Sequence, residues 1–305
     1  MILRHQITKE EAGLPLLDIL RKSMGLSGGM VKALKAYGGL LVDGHLRFTN
    51  YIVSEDEVVT ADVTHAQALG DNAPEEAALE VLWEDEGLLA VNKPPGIIVH
   101  PSRAKNSGTL ANFVTGYLQK TGGRPVCHVV NRLDRDTSGI VIFAKNAYMK
   151  EGLSNALRAG EKRYKTLVLG AFDPPAGEIK LAIKRKEEKN MYRITAPDGK
   201  AAHTCYQTEK KFLLAGEICS LLDVSLITGR THQIRVHMLA SGKPLLGDPL
   251  YYDEQSKVFS QQLGLSHQLL HCYQLSFVHP HTGEYVCIRK YPADGLWSQV
   301  QDAFL

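Results

Sequence analysis

No Cys-x-x-Cys pair occurs in the 305 residues, and the five cysteines (Cys127, Cys205, Cys219, Cys272, Cys287) are odd in number and far apart. That excludes a disulfide framework and gives no spacing signal for zinc. Small buried hydrophobes are the expectation for them. No run reaches the roughly 18–20 apolar residues a membrane span needs. The opening MILRHQITKEEAG has no apolar secretion-signal core and carries Glu10 and Glu11 early, so a cytoplasmic protein without a membrane partner is expected. Internal repeats and low-complexity tracts are also missing. At 44% hydrophobic and 22% charged residues the chain is not a disordered one, and its length suggests about two domains.

A further absence concerns charge. Residues 48–92 contain no Lys or Arg but hold eleven acids, among them Glu55, Asp56, Glu57, Glu75, Glu76, Glu80 and Glu84–Glu86. The formal net charge of +2, from 35 basic and 33 acidic residues, therefore conceals a basic body with an excess of thirteen and one acidic strip. The strip is expected to face away from a polyanionic partner.

What is present begins with a compact module. Residues 14–24 have helical spacing, ended by Gly25. A second helix fits Ser27 to Tyr37, with Ser27 as N-cap and Gly38-Gly39 as the stop. A strand at Leu40–Val42, a tight turn at Asp43-Gly44 and a strand at Val58–Val63 complete a helix–helix–hairpin unit. Residues 66–79 have linker composition. This predicts a module over 1–65, a linker over 66–79 and a second domain over 80–305. That domain has many short strands (such as Leu88–Val91, Ile140–Ala144, Tyr164–Leu169 and Ser220–Leu226) and few helices (Thr109–Gln119, Ala147–Leu157). The pattern argues against βαβ alternation and for an α+β fold with a mixed, mostly antiparallel sheet flanked by helices.

Four segments stand out chemically. Asn131-Arg132-Leu133-Asp134-Arg135-Asp136-Thr137-Ser138-Gly139 is a charged loop feeding an apolar strand, either a site or a satisfied salt-bridge turn. Thr228-Gly229-Arg230-Thr231-His232-Gln233-Ile234-Arg235-Val236-His237 concentrates cations. Thr228 or Thr231 is a candidate cap for a helix entering at His232, and Arg230 is suited to hold a carboxylate. His232 and His237, five apart, are poorly spaced as metal ligands on one helix face. Lys162-Arg163-Tyr164-Lys165 places a Tyr among cations, as base stacking with phosphate contacts would use it, or as strand packing. Asn92-Lys93-Pro94-Pro95-Gly96 is a rigid turn, read as structural.

These segments, followed by Gly247-Asp248-Pro249-Leu250-Tyr251, occur in an order that resembles the RluA-type family of pseudouridine synthases over roughly residues 80–290. The N-terminal module is similar to the alpha-L (S-four-like) RNA-binding module, although Gly28-Gly29-Met30 stand where such modules carry an early Arg. Arg21, Lys22, Lys32, Lys35 and Arg47 would be its RNA contacts. A second departure is Asn131, where the family has His before the Arg-Leu-Asp core.

The resemblance implies an isomerase that turns specific uridines of structured RNA into pseudouridine without metal or cofactor. Ribosomal RNA is the expected partner in preference to transfer RNA, and the protein is expected to be a monomer. It maps the essential carboxylate onto Asp134, with Arg230 pairing to it and Tyr164 stacking on the uracil. Arg132, Lys162, Arg163, Lys165 and the Lys184-Arg185-Lys186 run would contact phosphates. Asp136 is read as structural. The alternative is a non-catalytic RNA-binding or ribosome-assembly factor of the same fold. A hydrolase is disfavoured because no Ser/His/Asp pattern can be placed.

Overall fold

The computed structural model describes residues 1–65, 72–101, 105–187 and 191–303. The expected linker falls partly outside them.

The N-terminal unit is a four-stranded sheet with two helices. β1 (Ile2–Gln6), α1 (Leu16–Asp18, running on as a π turn to Ser23), α2 (Gly28–Tyr37), β2 (Leu40–Val42), β3 (His45–Leu46) and β4 (Val58–Asp62) follow in order. The sheet runs β1-β4-β2-β3, all antiparallel. Ser27 caps α2, its side chain accepting from the Met30 N–H, and Gly38 closes the helix in the left-handed region. Asp43 and Gly44 both take positive φ, as a tight hairpin turn requires. Sequence periodicity missed β1, which is too short to show alternation but pairs with β4 along its whole length. A separate apolar core, including Leu16, Leu20, Leu34, Leu40 and Val59, sits inside this unit.

The second unit carries β5 (Glu80–Glu84), β6 (Leu88–Lys93), α3 (Leu110–Lys120), β7 (His128–Val129), β8 (Ser138–Ala144), α4 (Ala147–Ala159), β9 (Glu161–Leu169), β10 (Ala176–Ile179), β11 (Ile183–Arg185), β12 (Arg193–Thr195), β13 (Thr204–Leu214), β14 (Glu217–Leu226), α5 (Gln233–Ala240), α6 (Glu254–Gln262), β15 (Leu270–Val278) and β16 (Tyr285–Arg289). Ten strands form one sheet in the order β10-β13-β14-β9-β15-β8-β6-β5, with β16 beside β15 and β7 beside β8. Among the described pairs only β15–β8 is parallel. The fold is thus α+β with a mostly antiparallel sheet. β11 and β12 form a separate hairpin.

Both faces of the sheet are buried. On β14, Leu222 and Val224 join the main core, whereas Cys219 and Leu221 join a second cluster with Phe259 and Trp297. β15, α6 and the 3-10 segment from Gly295 were not expected from sequence. β15 is buried at eight of its nine positions, and an irregularity between Cys272 and Gln274 splits its alternation into two short pieces, Leu-His-Cys and Gln-Leu-Ser-Phe, out of phase with each other. Cys127, Cys219 and Cys272 are buried thiols, as expected; Cys205 and Cys287 are partly exposed.

Several acids of the strip are paired within the protein by residues distant in sequence. Glu84 pairs with Lys145, Glu80 with Lys290, and Glu86 with the N-terminal amine of Met1.

Candidate active site

The loop before β8 is fixed from three sides. Asn131 clamps its base: its side-chain N–H donates to the Ile140 carbonyl (3.0 Å) and its carbonyl oxygen accepts from the Ile142 N–H (2.7 Å). Gly139 closes its far end at φ +114°, where a Cβ would lie 2.3 Å from the Cys272 carbonyl oxygen, so only glycine permits β8 and β15 to meet there. Beneath the loop, Lys93 is fully buried, and its Nζ donates to the carbonyls of Pro94, Ile97 and Arg135 at 2.7–2.9 Å. Burial pulls its pKa down to about 7, against the pull of Asp136 and Asp134. The Asn-Lys-Pro-Pro-Gly turn is therefore structural, as read, but it props the loop that carries Asp134. Asp136 accepts from the neighbouring Arg135 guanidinium (2.9–3.1 Å).

Asp134 lies at a cleft walled by Arg132, Tyr164, Arg230, His232 and Arg235. Its ion-pair partner corrects the sequence expectation. Arg235 Nη1 donates to Asp134 Oδ2 at 3.1 Å, whereas Arg230 Nε donates to the Ala201 carbonyl at 3.0 Å and its side chain stays exposed at the rim. The reason is local. His232, with φ +58°, turns the chain between the two arginines, so Arg235 enters on the first turn of α5 and Arg230 is left outside it. Neither Thr228 nor Thr231 caps α5. His232 is the N-cap residue, without a side-chain cap bond. Gln233 instead organises the turn, accepting from Thr228 Oγ1 and the Arg230 N–H and donating to the His203 carbonyl and Thr204 Oγ1.

Arg235 is held from behind. Its Nε and Nη2 donate to both oxygens of Asp248 at 2.7 and 2.8 Å, and it lies over the Tyr251 ring at 4.8 Å. Asp248 in turn accepts the Leu250 and Tyr251 N–H groups. This is the role of the Gly-Asp-Pro-Leu-Tyr segment. Burial alone would lower the Arg235 pKa, but the two carboxylates outweigh it and raise it, so the guanidinium is permanently charged.

His232 Nε2 stands 3.8 Å from Asp134 Oδ1, and its Nδ1 meets the Tyr251 hydroxyl at 2.8 Å. Burial lowers its pKa despite Asp134, favouring the neutral ring. His237 is a satisfied core histidine between Thr204 and Leu181.

Strand alternation divides the Lys-Arg-Tyr-Lys segment. Tyr164 points into the cleft, where burial first, then Cys272 and Asp134, raise its pKa and keep the phenol protonated. Arg163 and Lys165 point to the opposite face; burial overturns the expected RNA phosphate contact for Lys165, while Arg163, 34% exposed, pairs with Asp223 and Glu161. Lys165 is 3% exposed and donates to Asp223 (2.8 Å) and Glu209, and Arg163 Nε donates to Asp223 (3.0 Å). Lys162 is half-buried on the Tyr164 side. Lys184 pairs with Asp198, and Lys186 lies over the Tyr192 ring.

In the N-terminal unit Arg21, Lys22, Lys32, Lys35 and Arg47 are all exposed. Lys32 and Lys35 line an open groove with Gly28 and Thr49, Arg47 lies over the Tyr51 ring, and Lys22 pairs with Asp18.

The family model described as RNA pseudouridylate synthase matches residues 87–240. The chain is also 35% identical over 264 residues to the uncharacterized RNA pseudouridine synthase YjbO of Bacillus subtilis (strain 168), covering 86% of this chain and 89% of that one. It belongs to the RNA pseudouridylate synthase family. Family members are isomerases that act on RNA, and the loop of Asp134, the Tyr164 strand and the start of α5 all lie within the matched span. Another relative, ribosomal large subunit pseudouridine synthase D of Buchnera aphidicola subsp. Schizaphis graminum, is 34% identical over 221 residues, 69% of each chain. Among solved structures, human RNA pseudouridylate synthase domain containing 1 superposes with a TM-score of 0.57 at 21% identity over 75% of this chain and 97% of that one, a likeness of fold. No helix among the described residues is long and apolar enough to cross a membrane.

Proposed function

We propose that the protein isomerises specific uridines of ribosomal RNA, with Asp134 as the essential carboxylate. The observation that carries this is the placement of Asp134: one oxygen is held at 3.1 Å by a buried arginine, and the side chain is 25% exposed at the cleft. In the reaction the bond from uracil N1 to ribose C1′ breaks, the base turns, and C5 bonds to C1′. C5 then loses its proton and N1 gains one. A carboxylate beside C1′ suits this chemistry, because it stabilises or traps the oxocarbenium-like ribose.

Arg235 holds and aims Asp134, and Asp248 and Tyr251 keep Arg235 in place. The neutral phenol of Tyr164 forms the wall against which the uracil packs, and it passes on the C5 proton only by exchanging its own. Arg132, exposed at the mouth, meets the phosphate of the flipped nucleotide or fills the space it leaves. Flipping costs a few kcal/mol, which contacts from Lys162, Arg230 and the N-terminal cations Arg21, Lys22, Lys32, Lys35 and Arg47 offset. The exposed basic groove of residues 1–65 supports an RNA-binding role for that unit. Ribosomal RNA is favoured because a relative carries that substrate in its name.

The test is carbodiimide mapping of pseudouridine in total RNA with and without the gene, repeated with purified protein on transcribed ribosomal RNA. A site lost with the gene and restored in vitro supports the reading. An unchanged map, together with retained RNA binding, would leave only the non-catalytic factor.

A further inference from the structure

We propose that Glu178, His203 and Cys205 form a binding site for a zinc ion at the edge of the large sheet. Glu178 on β10 and Cys205 on β13 are directly opposed in the antiparallel register. His203 lies two residues before Cys205 and so shares its side of the strand. Their donor atoms all lie within 4.8 Å of one another, the one such His/Cys/carboxylate group among the described residues.

The separations are informative. His203 Nε2 is 3.4 Å from Glu178 Oε2 and 3.6 Å from Cys205 Sγ. The first is too long for a good charge-assisted hydrogen bond. Both match the edges of a tetrahedron around zinc: bonds of about 2.0–2.2 Å to N and O and about 2.3 Å to S place N and O roughly 3.3–3.5 Å apart, and N and S roughly 3.5–3.6 Å apart. One thiolate, one imidazole and one carboxylate make a borderline-soft set, which suits zinc over magnesium or calcium. Three protein donors leave a fourth position for water.

One group competes. The Lys180 ammonium sits on the same Glu178 oxygen, and both side chains are exposed, so the lysine can leave without disturbing the fold.

The site has a route to the cleft. The His203 N–H donates to Thr228 Oγ1, its carbonyl accepts from Gln233, and Arg230 docks on the carbonyl of Ala201. A metal on His203 would brace the backbone to which the Thr228–Gln233 turn is tied. Because the ligands come from two strands, no spacing in the sequence announces them.

The experiment uses the full chain, purified with chelator and reductant, then titrated with zinc against a chromophoric chelator and with cobalt(II) as a spectroscopic probe. Expected are one equivalent bound, a cobalt spectrum of tetrahedral intensity with a thiolate charge-transfer band, and binding weakened at least about tenfold by Cys205→Ser or His203→Gln, since even outer partners of a metal are worth that much. Cys287→Ser should change nothing, and Lys180→Ala should tighten binding several-fold. Far-ultraviolet circular dichroism of each variant without metal checks that it is folded. Absence of stoichiometric binding, a six-coordinate cobalt spectrum, or equal affinity in folded Cys205→Ser would overturn the site.

Discussion

Asp134 and Asp223 flank the same strand, β9, from opposite faces, and both are carboxylates paired with arginine. They differ in how completely they are satisfied. Asp223 is 6% exposed and accepts from Arg163 Nε (3.0 Å), Lys165 Nζ (2.8 Å) and the Tyr273 hydroxyl (2.7 Å). Burial alone would raise its pKa, but these donors outweigh it and hold it down. Asp134 is 25% exposed and has one close donor, Arg235, with His232 standing off at 3.8 Å. A buried carboxylate held by three donors stabilises the sheet and is closed off from a substrate. One with a single donor and an open side is oriented and able to react.

The strongest way to break this comparison is to remove the saturated carboxylate. Asp223→Ala strips Arg163 and Lys165 of their shared buried anion, leaving them only the more exposed Glu161 and Glu209, and should cost up to about 3–5 kcal/mol of stability. Urea unfolding measures it, and activity per folded molecule should be unchanged. Next in size is the arginine behind Asp134. Arg235→Met should lower kcat by about 10²–10³-fold, in the range of a lost preorganised charged donor. The same substitution at Arg230 should cost less than about tenfold. Single-turnover kinetics of both variants decides between the two arginines.

A third prediction concerns acid. His271 is buried between Ser138 and the Lys290 carbonyl, and burial lowers its pKa from 6.5 to about 4. Between those values the unfolded chain binds more protons than the folded one, so stability is present above pH 6.5 and is lost as the pH falls toward 4. The loss amounts to about 3 kcal/mol. Unfolding curves across that range should show it, and His271→Gln should flatten the dependence. The smallest effect expected is from Lys165→Met, which should leave RNA affinity and its salt dependence within about twofold, because that cation faces Asp223 and no phosphate.

The comparison also shows what a sequence can and cannot reveal. The Leu40–Val42 strand and its Asp43-Gly44 turn, the Ser27 cap, α3, α4 and most strands of the main sheet, though not β7 or β15, are legible because capping residues, turn glycines and alternation are local. The Asp134 loop was legible through its motif. The choice of Arg235 over Arg230 was not, because they stand only five positions apart and the left-handed turn at His232 decides which enters the cleft. Asp248 had been noticed only as part of a motif, and its grip on Arg235 spans thirteen residues of chain. The sides taken by Tyr164 and Lys165 follow from strand alternation. Lys93 was readable as a turn residue, but its three carbonyl contacts depend on the Arg135 loop, forty-two residues away.

The central claim is that Asp134 reacts and Asp223 does not. Its most direct measurement is tritium release from ribosomal RNA labelled at uridine C5, with Asp134→Asn and Asp223→Asn assayed beside the wild type at equal concentrations of folded, RNA-bound protein. The account predicts no release above background for Asp134→Asn with RNA binding retained, and near wild-type release for folded Asp223→Asn. Wild-type release by Asp134→Asn would contradict it.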